Sequence, residues 1–200
     1  MITVISRYFM LVCLLCSGVG IHGQKTGLLL VDIQEFYFPG GRVQLENVEQ
    51  AGMNAGLILD QFRKAGLPVY HVRHNFEPGG NIHSYVKPDR GEKVISKDQV
   101  NPFLQTDLLE CILADSVERL IICGMQTHMC LEAAVRAAHD AGFECILAVD
   151  ACATRALQYE DLIIPATMVH FTTIQTLQGA YATVYTTAEL LREFGQIVLP

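Results

Sequence analysis

The chain has 200 residues, half of them apolar and 18% of them charged, and its formal net charge at pH 7 is −7. This length and this apolar fraction suit one globular domain with a sizeable core. The acidic balance and the scattered Lys and Arg residues provide no basic surface for a phosphate backbone, which excludes nucleic acid as a partner.

The N-terminal residues resemble a secretory signal peptide. Residues 1–9 carry one Arg and no acidic residue, residues 10–19 are almost wholly apolar, and small residues precede Gln24. The apolar run is shorter than the roughly 20 residues that a membrane-spanning helix needs. We therefore predict a signal peptide over residues 1–23, one domain over 24–200, an exported protein and no membrane attachment after cleavage. The alternative is a cytoplasmic protein that keeps its leader.

Strands and helices alternate along the rest of the chain. The hydrophobic patterns predict strands over residues 27–31, 69–74, 94–95, 119–124, 144–149 and 182–185, and helices over about 47–65, 106–114, 131–141 and 159–178, with a last helix that Thr187 caps. A long loop rich in Gly and Pro covers residues 75–91. Because successive βαβ units have right-handed crossovers, this order predicts an α/β fold: a three-layer Rossmann-like domain with a mainly parallel sheet and helices on both faces.

Cys130 is predicted to lie where a buried strand turns into a helix. Such a helix N-terminus can lower the pKa of a thiol and can stabilise an oxyanion. The alternative is a small buried apolar residue, which free cysteines often are. Five cysteines follow the leader, an odd number without a C-x-x-C motif, so we predict no disulfide framework and no structural zinc.

Three ionisable residues, Asp32, Lys97 and Cys130, lie at or beyond the carboxyl ends of three predicted strands. The carboxyl ends of parallel strands meet at one edge of a sheet, so these residues can converge. The thiol would act as nucleophile, the carboxylate would move its proton, and the ammonium would hold both anions. Individually, Asp32 could instead cap a helix and Lys97 could be a solvated loop residue.

Four stretches, at residues 31–41, 91–106, 124–130 and 149–154, resemble the signature blocks of the isochorismatase-like cysteine hydrolases. The resemblance implies a Rossmann-like sheet, an Asp32-Lys97-Cys130 triad, a cis peptide bond between Met125 and Gln126, and a homo-oligomer. The backbone N–H groups of Gln126 and Cys130 would then form the oxyanion hole.

Substrate contacts are expected from side chains beside these blocks. Tyr37 and Phe103, together with Phe38 and Phe171, are candidates for an apolar pocket wall, although each is also typical of core. Gln34 could hydrogen-bond either to the active-site loop or to the substrate.

The histidines suggest a different reading, a metal-assisted amidase like the nicotinamidases. His71, His74 and His83 lie in the corresponding region, but no Asp-x-His pair occurs there, and residues three apart on a strand point to opposite faces. We therefore predict no metal and no cofactor, with His71 in the core and His74 at the pocket rim. His128, two residues before Cys130, is expected in a supporting or interface role because such neighbours on a helix do not face each other.

The sequence thus predicts a cysteine-dependent hydrolase that cleaves the C–N bond of a small amide-type substrate through a thioester. The alternatives are a binding protein of the same fold, a thiol-redox protein with Cys152 as the resolving cysteine, and the metal-assisted amidase. The sequence does not name the substrate.

Overall fold

The computed structural model describes residues 24–198. Within this range six parallel strands form one sheet, and two further strands form a separate antiparallel hairpin. The predicted signal peptide lies outside the described residues. No helix among the described residues is both long enough and apolar enough to span a membrane.

The strands are β1 Thr26–Val31, β2 Val69–His74, β3 Lys93–Lys97, β4 Arg119–Met125, β5 Glu144–Ala153, β6 Leu157–Tyr159, β7 Leu162–Ile164 and β8 Thr183–Tyr185. The helices are α1 Val48–Ala65, α2 Leu108–Ala114, α3 Glu132–Asp140, α4 Ala166–Leu177, α5 Thr187–Arg192 and α6 Phe194–Ile197. The predicted three-layer α/β fold is confirmed.

The strand order reverses between β1 and β4, the two central strands. From β1 the chain moves outward through β2 to β3, and from β4 it moves the other way through β5 to β8. Because the crossovers are right-handed, the two halves place their helices on opposite faces of the sheet. β1 is buried along its whole length, so its continuous apolar sequence fits its central position. The carboxyl ends of β1 and β4 form the switch point at which open α/β sheets bind ligands.

The predicted helix over residues 159–178 is wrong in its first part. Residues 157–164 form the β6–β7 hairpin, and α4 begins only at Ala166. Pro165 explains the boundary, since a proline disfavours the helical conformation in the residue before it. The β-branched pair Ile163 and Ile164 also favours a strand.

Two further boundaries differ from the prediction. β5 continues past residue 149 to Ala153, with a register shift against β4. The cap of α5 is Thr186, one residue earlier than predicted, and it forms a capping box with Glu189. The carboxylate of Asp150 accepts hydrogen bonds from the backbone N–H and the hydroxyl of Thr187, both at 2.7 Å. Asp150 therefore anchors α5.

Gly124 allows β4 to pass close to the end of β1. Its φ is +132°, and a Cβ atom there would lie 2.0 Å from the carbonyl oxygen of Val31. Since Val31 directly precedes Asp32, a side chain at position 124 would push apart the two strand ends that carry the candidate site.

We expect Gly124→Ala to lower the free energy of unfolding by about 3 kcal/mol or more, because both the backbone conformation and the space exclude a side chain. Gly142→Ala is the matched control. Its φ is +95°, but nothing lies within 4 Å of the added Cβ, so we expect a cost of only about 1 kcal/mol. Urea unfolding measures both values, and equal costs would refute the close approach.

Candidate active site

Asp32, Lys97 and Cys130 converge at the carboxyl edge of the sheet. Lys97 Nζ lies 2.8 Å from Asp32 Oδ2 and 3.2 Å from Cys130 Sγ. Asp32 is fully buried, Lys97 is 1% exposed, and Cys130 is 6% exposed. Of the three, only the thiol is slightly open to solvent, as a group that meets a substrate must be.

Each of the three residues is held by its place in the fold. Asp32 follows β1 in the left-handed region, at φ 49°, a conformation that short polar side chains tolerate better than most. Lys97 is the last residue of β3. Cys130 lies on a single π-helical turn, Thr127–Leu131, that joins β4 to α3. Such turns are frequent at functional sites, and this one gives the strand-to-helix position that the sequence predicts.

The thiol of Cys130 is not a resting thiolate. Burial and the neighbouring Asp32 carboxyl raise the pKa of Cys130 to about 12, although Lys97 acts in the opposite direction. The expectation that a helix N-terminus lowers this pKa is therefore wrong, because the turn is buried and carries an acid beside the sulphur. The nucleophile needs a base that removes its proton.

Asp32 is the group positioned to be that base. Burial raises the pKa of its carboxyl above the ordinary value, while Lys97 lowers it. The Cys130 thiol contacts the same carboxyl. The ion pair with Lys97 is made through Oδ2, and Oδ1 has no hydrogen-bond partner among the described residues. A buried carboxylate with a free oxygen beside a thiol can accept the thiol proton, and Lys97 stabilises its ionised form.

His74 completes the surroundings of Lys97, with its Nδ1 3.1 Å from Lys97 Nζ. Burial and the charge of Lys97 lower the pKa of His74, so it is a neutral acceptor for the ammonium. Donor atoms of Asp32, His74 and Cys130 lie within 4.8 Å of one another, which is close enough for a shared metal ion. The Lys97 ammonium contacts all three residues, however, and a second cation among them would be repelled. These residues do not fit a metal.

Met125 and Gln126 are joined by a cis peptide bond, as the resemblance implies. The side chain of Gln126 is buried, its Nε2 lies 3.4 Å from the Tyr37 hydroxyl, and its Oε1 has no described partner. Burial raises the pKa of Tyr37, so the hydroxyl is protonated at neutral pH. Tyr37 and Gln126 therefore form a buried polar pair, and a contact of Tyr37 with the substrate stays a prediction. That the N–H groups of Gln126 and Cys130 form an oxyanion hole stays a prediction.

Gln34 and Phe103 lie beside the site in different ways. Gln34 Nε2 donates to the carbonyl oxygens of His74 and Gly80 at 2.9 and 2.7 Å, and Gln34 Oε1 accepts from the His74 N–H at 2.8 Å. The amide thus holds the end of β2 and the loop after it, the first of the two roles that the sequence left open. Phe103 is half-buried against the core, and its contact with a substrate stays a prediction.

The other histidines have structural contacts. His71 is buried, with Nε2 2.8 Å from Glu92 Oε2, and burial lowers its pKa. It is the core residue that the sequence predicts. His83 stacks on Phe38 with ring centroids 3.6 Å apart, so Phe38 is core and not an open pocket wall. The histidines of the metal-assisted alternative do not converge.

His128 contacts a residue just beyond β5. Its Nδ1 lies 2.6 Å from the hydroxyl of Thr154, at the end of β5, so it joins two loops at the edge of the site. Thr154 could not be predicted as its partner, because the predicted strand over residues 144–149 ends four residues before β5 does.

The resolving-cysteine alternative has no support in the strand register. Cys152 lies on β5 opposite Gly124 of β4, and its Sγ is 3.1 Å from the carbonyl oxygen of Ala148. Cys130 lies beyond β4, among Asp32 and Lys97. The five cysteines between residues 24 and 198 are all free.

Comparisons with known proteins show which family the chain resembles in sequence and in fold. A family model described as the isochorismatase domain matches residues 26–189. An uncharacterised isochorismatase family protein of Bacillus subtilis, YddQ, is 44% identical over 178 residues, which cover 84% of this chain and 99% of that protein. The crystal structure of an isochorismatase from Pseudomonas putida KT2440 has 34% identity and a TM-score of 0.78, and covers 82% of this chain and 88% of the other. Maleamate amidohydrolase of Pseudomonas putida is 25% identical over 150 residues, 62% of this chain and 70% of that enzyme.

Proposed function

Since this chain belongs to the isochorismatase family of hydrolases, we propose that it hydrolyses a small amide-type substrate with Cys130 as the nucleophile. The observation that carries this proposal is the buried contact of Asp32, Lys97 and Cys130, with the Lys97 ammonium 2.8 Å from the carboxylate and 3.2 Å from the sulphur. A carboxylate that can take a proton lies beside a thiol that has to lose one.

The proposed reaction has two stages. In the first, the Cys130 proton passes to Asp32 and the sulphur attacks the carbonyl carbon, which forms a tetrahedral oxyanion held by the N–H groups of Gln126 and Cys130. The C–N bond then breaks, and ammonia or an amine leaves with the proton from Asp32. In the second stage, Asp32 takes a proton from water and the hydroxide attacks the thioester. The C–S bond then breaks, the proton passes from Asp32 to the sulphur of Cys130, and the carboxylic acid is released.

Two observations support a small substrate and an amide bond. The sulphur is only slightly exposed, which suits a compact molecule. Among the relatives, maleamate amidohydrolase is by its name an enzyme that hydrolyses an amide.

A panel of small amides, ureas and carbamates tests the proposal through the release of ammonia. We expect turnover of at least one amide by the wild-type chain and none by Cys130→Ala. If the full panel gives no ammonia, while a binding assay with the same compounds detects tight binding, the chain is a binding member of the family and the proposal fails.

The pH dependence of kcat/KM identifies the base. Asp32 must be ionised to accept the thiol proton, and its pKa is raised above the ordinary value. We therefore expect kcat/KM to fall as the pH decreases through this raised pKa. Because the pKa of Cys130 is about 12, the thiol itself adds no ionisation near neutral pH.

His128→Gln is the control for this profile, since His128 is the histidine nearest in sequence to the nucleophile. We expect kcat/KM of His128→Gln to fall at low pH over the same pH range as kcat/KM of the wild type. If kcat/KM of His128→Gln no longer fell at low pH, His128 would be the base, and the role of Asp32 would be contradicted.

A further inference from the structure

Gln126 and Tyr37 form a buried pair whose hydrogen-bonding capacity is only partly used. Each of the two residues is 6% exposed. Within residues 24–198 the Tyr37 hydroxyl has one hydrogen bond, from Gln126 Nε2 at 3.4 Å, and Gln126 Oε1 has no partner. Buried polar groups in folded proteins are almost always paired, and an unpaired group costs stability. This pair therefore indicates a ligand that completes its hydrogen bonds.

The pair offers one free donor and one free acceptor, whichever way the Gln126 amide is turned. With Nε2 towards Tyr37, the free groups are the hydroxyl proton of Tyr37 and the oxygen of Gln126. With Oε1 towards Tyr37, the hydroxyl donates to it, and the free groups are the N–H of Gln126 and the oxygen of Tyr37. A ligand group that satisfies both must carry an acceptor beside a donor. An amide-type group, with a C=O next to an N–H, has this pattern.

The pair lies close to the reacting groups. The carbonyl oxygen of Gln126 accepts a hydrogen bond from the N–H of Met129 at 2.9 Å, so Gln126 is tied to the π-helical turn that carries Cys130. Burial raises the pKa of Tyr37, and the charges of Asp32 and Cys130 raise it further. Because electrostatic effects weaken with distance, the Tyr37 hydroxyl is a neighbour of both the acid and the thiol.

We propose that this pair binds a second amide-type group of the substrate, such as a carbamoyl, ureido or lactam group, while Cys130 attacks the first. The inference rests on the hydrolysis proposed for this site. The scissile amide does not serve the pair itself, because its oxygen occupies the proposed oxyanion hole and its nitrogen faces Asp32 to receive a proton. A substrate with a single amide would therefore leave the pair buried and incomplete.

A carboxylate is the competing occupant, and it fits the pair less well. It carries two acceptors and no donor, so it satisfies the free donor of the pair and leaves the free acceptor facing another oxygen. The Asp32 carboxyl nearby also repels an anion. The Arg155 guanidinium, however, opposes the effect of burial on the pKa of Tyr37, so a cation is close enough to attract an anion. A carboxylate therefore belongs in the same test as an alternative outcome.

Malonamide and acetoacetamide test the inference, because the second replaces one NH2 group of the first with CH3. The ketone keeps the acceptor and lacks the donor. We expect kcat/KM of the wild type to be at least about tenfold higher for malonamide, since the ketone leaves a buried group unpaired. One ammonia should be released per malonamide, because a carboxylate replaces one amide in the product. Succinamide and levulinamide repeat the comparison with a longer spacer.

Gln126→Met removes the amide and keeps much of the side-chain shape. We expect this variant to hydrolyse malonamide and acetoacetamide with equal kcat/KM, and Tyr37→Phe should reduce the same preference. Tyr181→Phe is the matched control. The ring of Tyr181, between α4 and β8, lies 4.4 Å from the Arg136 guanidinium, and its variant should keep the wild-type ratio. A wild-type ratio in Gln126→Met would overturn the inference.

An NMR titration of Cys130→Ala makes the test independent of catalysis. This variant should bind malonamide at least about tenfold more tightly than acetoacetamide, and added Gln126→Met should equalise the two affinities with an unchanged circular dichroism spectrum. Such a preference without any hydrolysis by the wild type would refute the proposed function and support the binding role of the pair. Turnover without a preference for either diamide, or tighter binding of malonamate than of malonamide, would overturn the inference and leave the proposed function standing. Neither turnover nor binding would refute both.

Discussion

Cys130→Ala is expected to abolish hydrolysis, with kcat lowered by about 10⁴-fold or more, because loss of a nucleophile removes the whole covalent route. The fold should be retained. Cys130 is buried with 6% exposure, and its replacement by a slightly smaller side chain leaves the ion pair of Asp32 and Lys97 in place. Steady-state kinetics and circular dichroism on the same preparation check both statements.

Cys111→Ala is the matched control for this substitution. Cys111 lies on α2, only partly buried, with its Sγ 3.8 Å from Asp107. We expect activity within about twofold of the wild type, as is usual for a partly exposed side chain that is remote from the chemistry. Substantial hydrolysis by Cys130→Ala would mean that water attacks the substrate directly, and the nucleophilic role would be lost.

Asp32→Asn is expected to remove activity and stability together. The amide cannot accept the thiol proton, so kcat should fall by about 10²–10⁴-fold, the usual contribution of a general base. The same change leaves the Lys97 ammonium buried without its counter-ion, which costs about 3–5 kcal/mol in comparable cases. Asparagine tolerates the left-handed backbone at this position, so the loss has an electrostatic cause. Urea unfolding measures this loss of stability.

The double variant Asp32→Asn/Lys97→Met separates the two effects. Methionine removes the uncompensated charge while it keeps much of the side-chain volume, so stability should return towards the wild-type value. Activity should remain absent. A double variant as unstable as Asp32→Asn would show that the ion pair does not explain the loss, and recovery of hydrolysis would exclude Asp32 as the base.

The convergence of the three residues follows from the sequence, because topology alone dictates it. Predicted strands that are followed by Asp32, Lys97 and Cys130 place all three residues at one edge of a parallel sheet. The family blocks then indicate which of many polar residues belong together. The cis bond at Met125–Gln126 is implied by the resemblance and by no property of these two residues.

The electrostatics of the site could not be predicted in this way. The pKa of Cys130 depends on how deeply the turn is buried and on how close Asp32 lies, and both are properties of the packed structure. Sequence position suggested a favourable helix dipole. In the molecule, burial and the adjacent Asp32 carboxyl instead raise the pKa of Cys130. The consequence is mechanistic: proton transfer to Asp32 has to precede attack.

The β6–β7 hairpin is a second feature that the sequence did not predict. Its apolar residues resemble the start of an amphipathic helix, and the turn at Glu160, with φ 52°, lacks the glycine that would mark it. The residue that could have marked the start of α4 in the sequence is Pro165. The hydrogen bonds of Gln34 are a third such feature. A glutamine that bonds to two backbone segments can be recognised only when the positions of both segments are known.

Trapping the thioester tests the central claim most directly. A reaction quenched with acid during turnover of an amide substrate should contain enzyme heavier by the mass of the acyl group, and peptide mapping should place that group on Cys130. The adduct should be absent from Cys130→Ala and should disappear with hydroxylamine. Continued product formation without any acyl adduct on Cys130, or an adduct on another residue, would contradict the account.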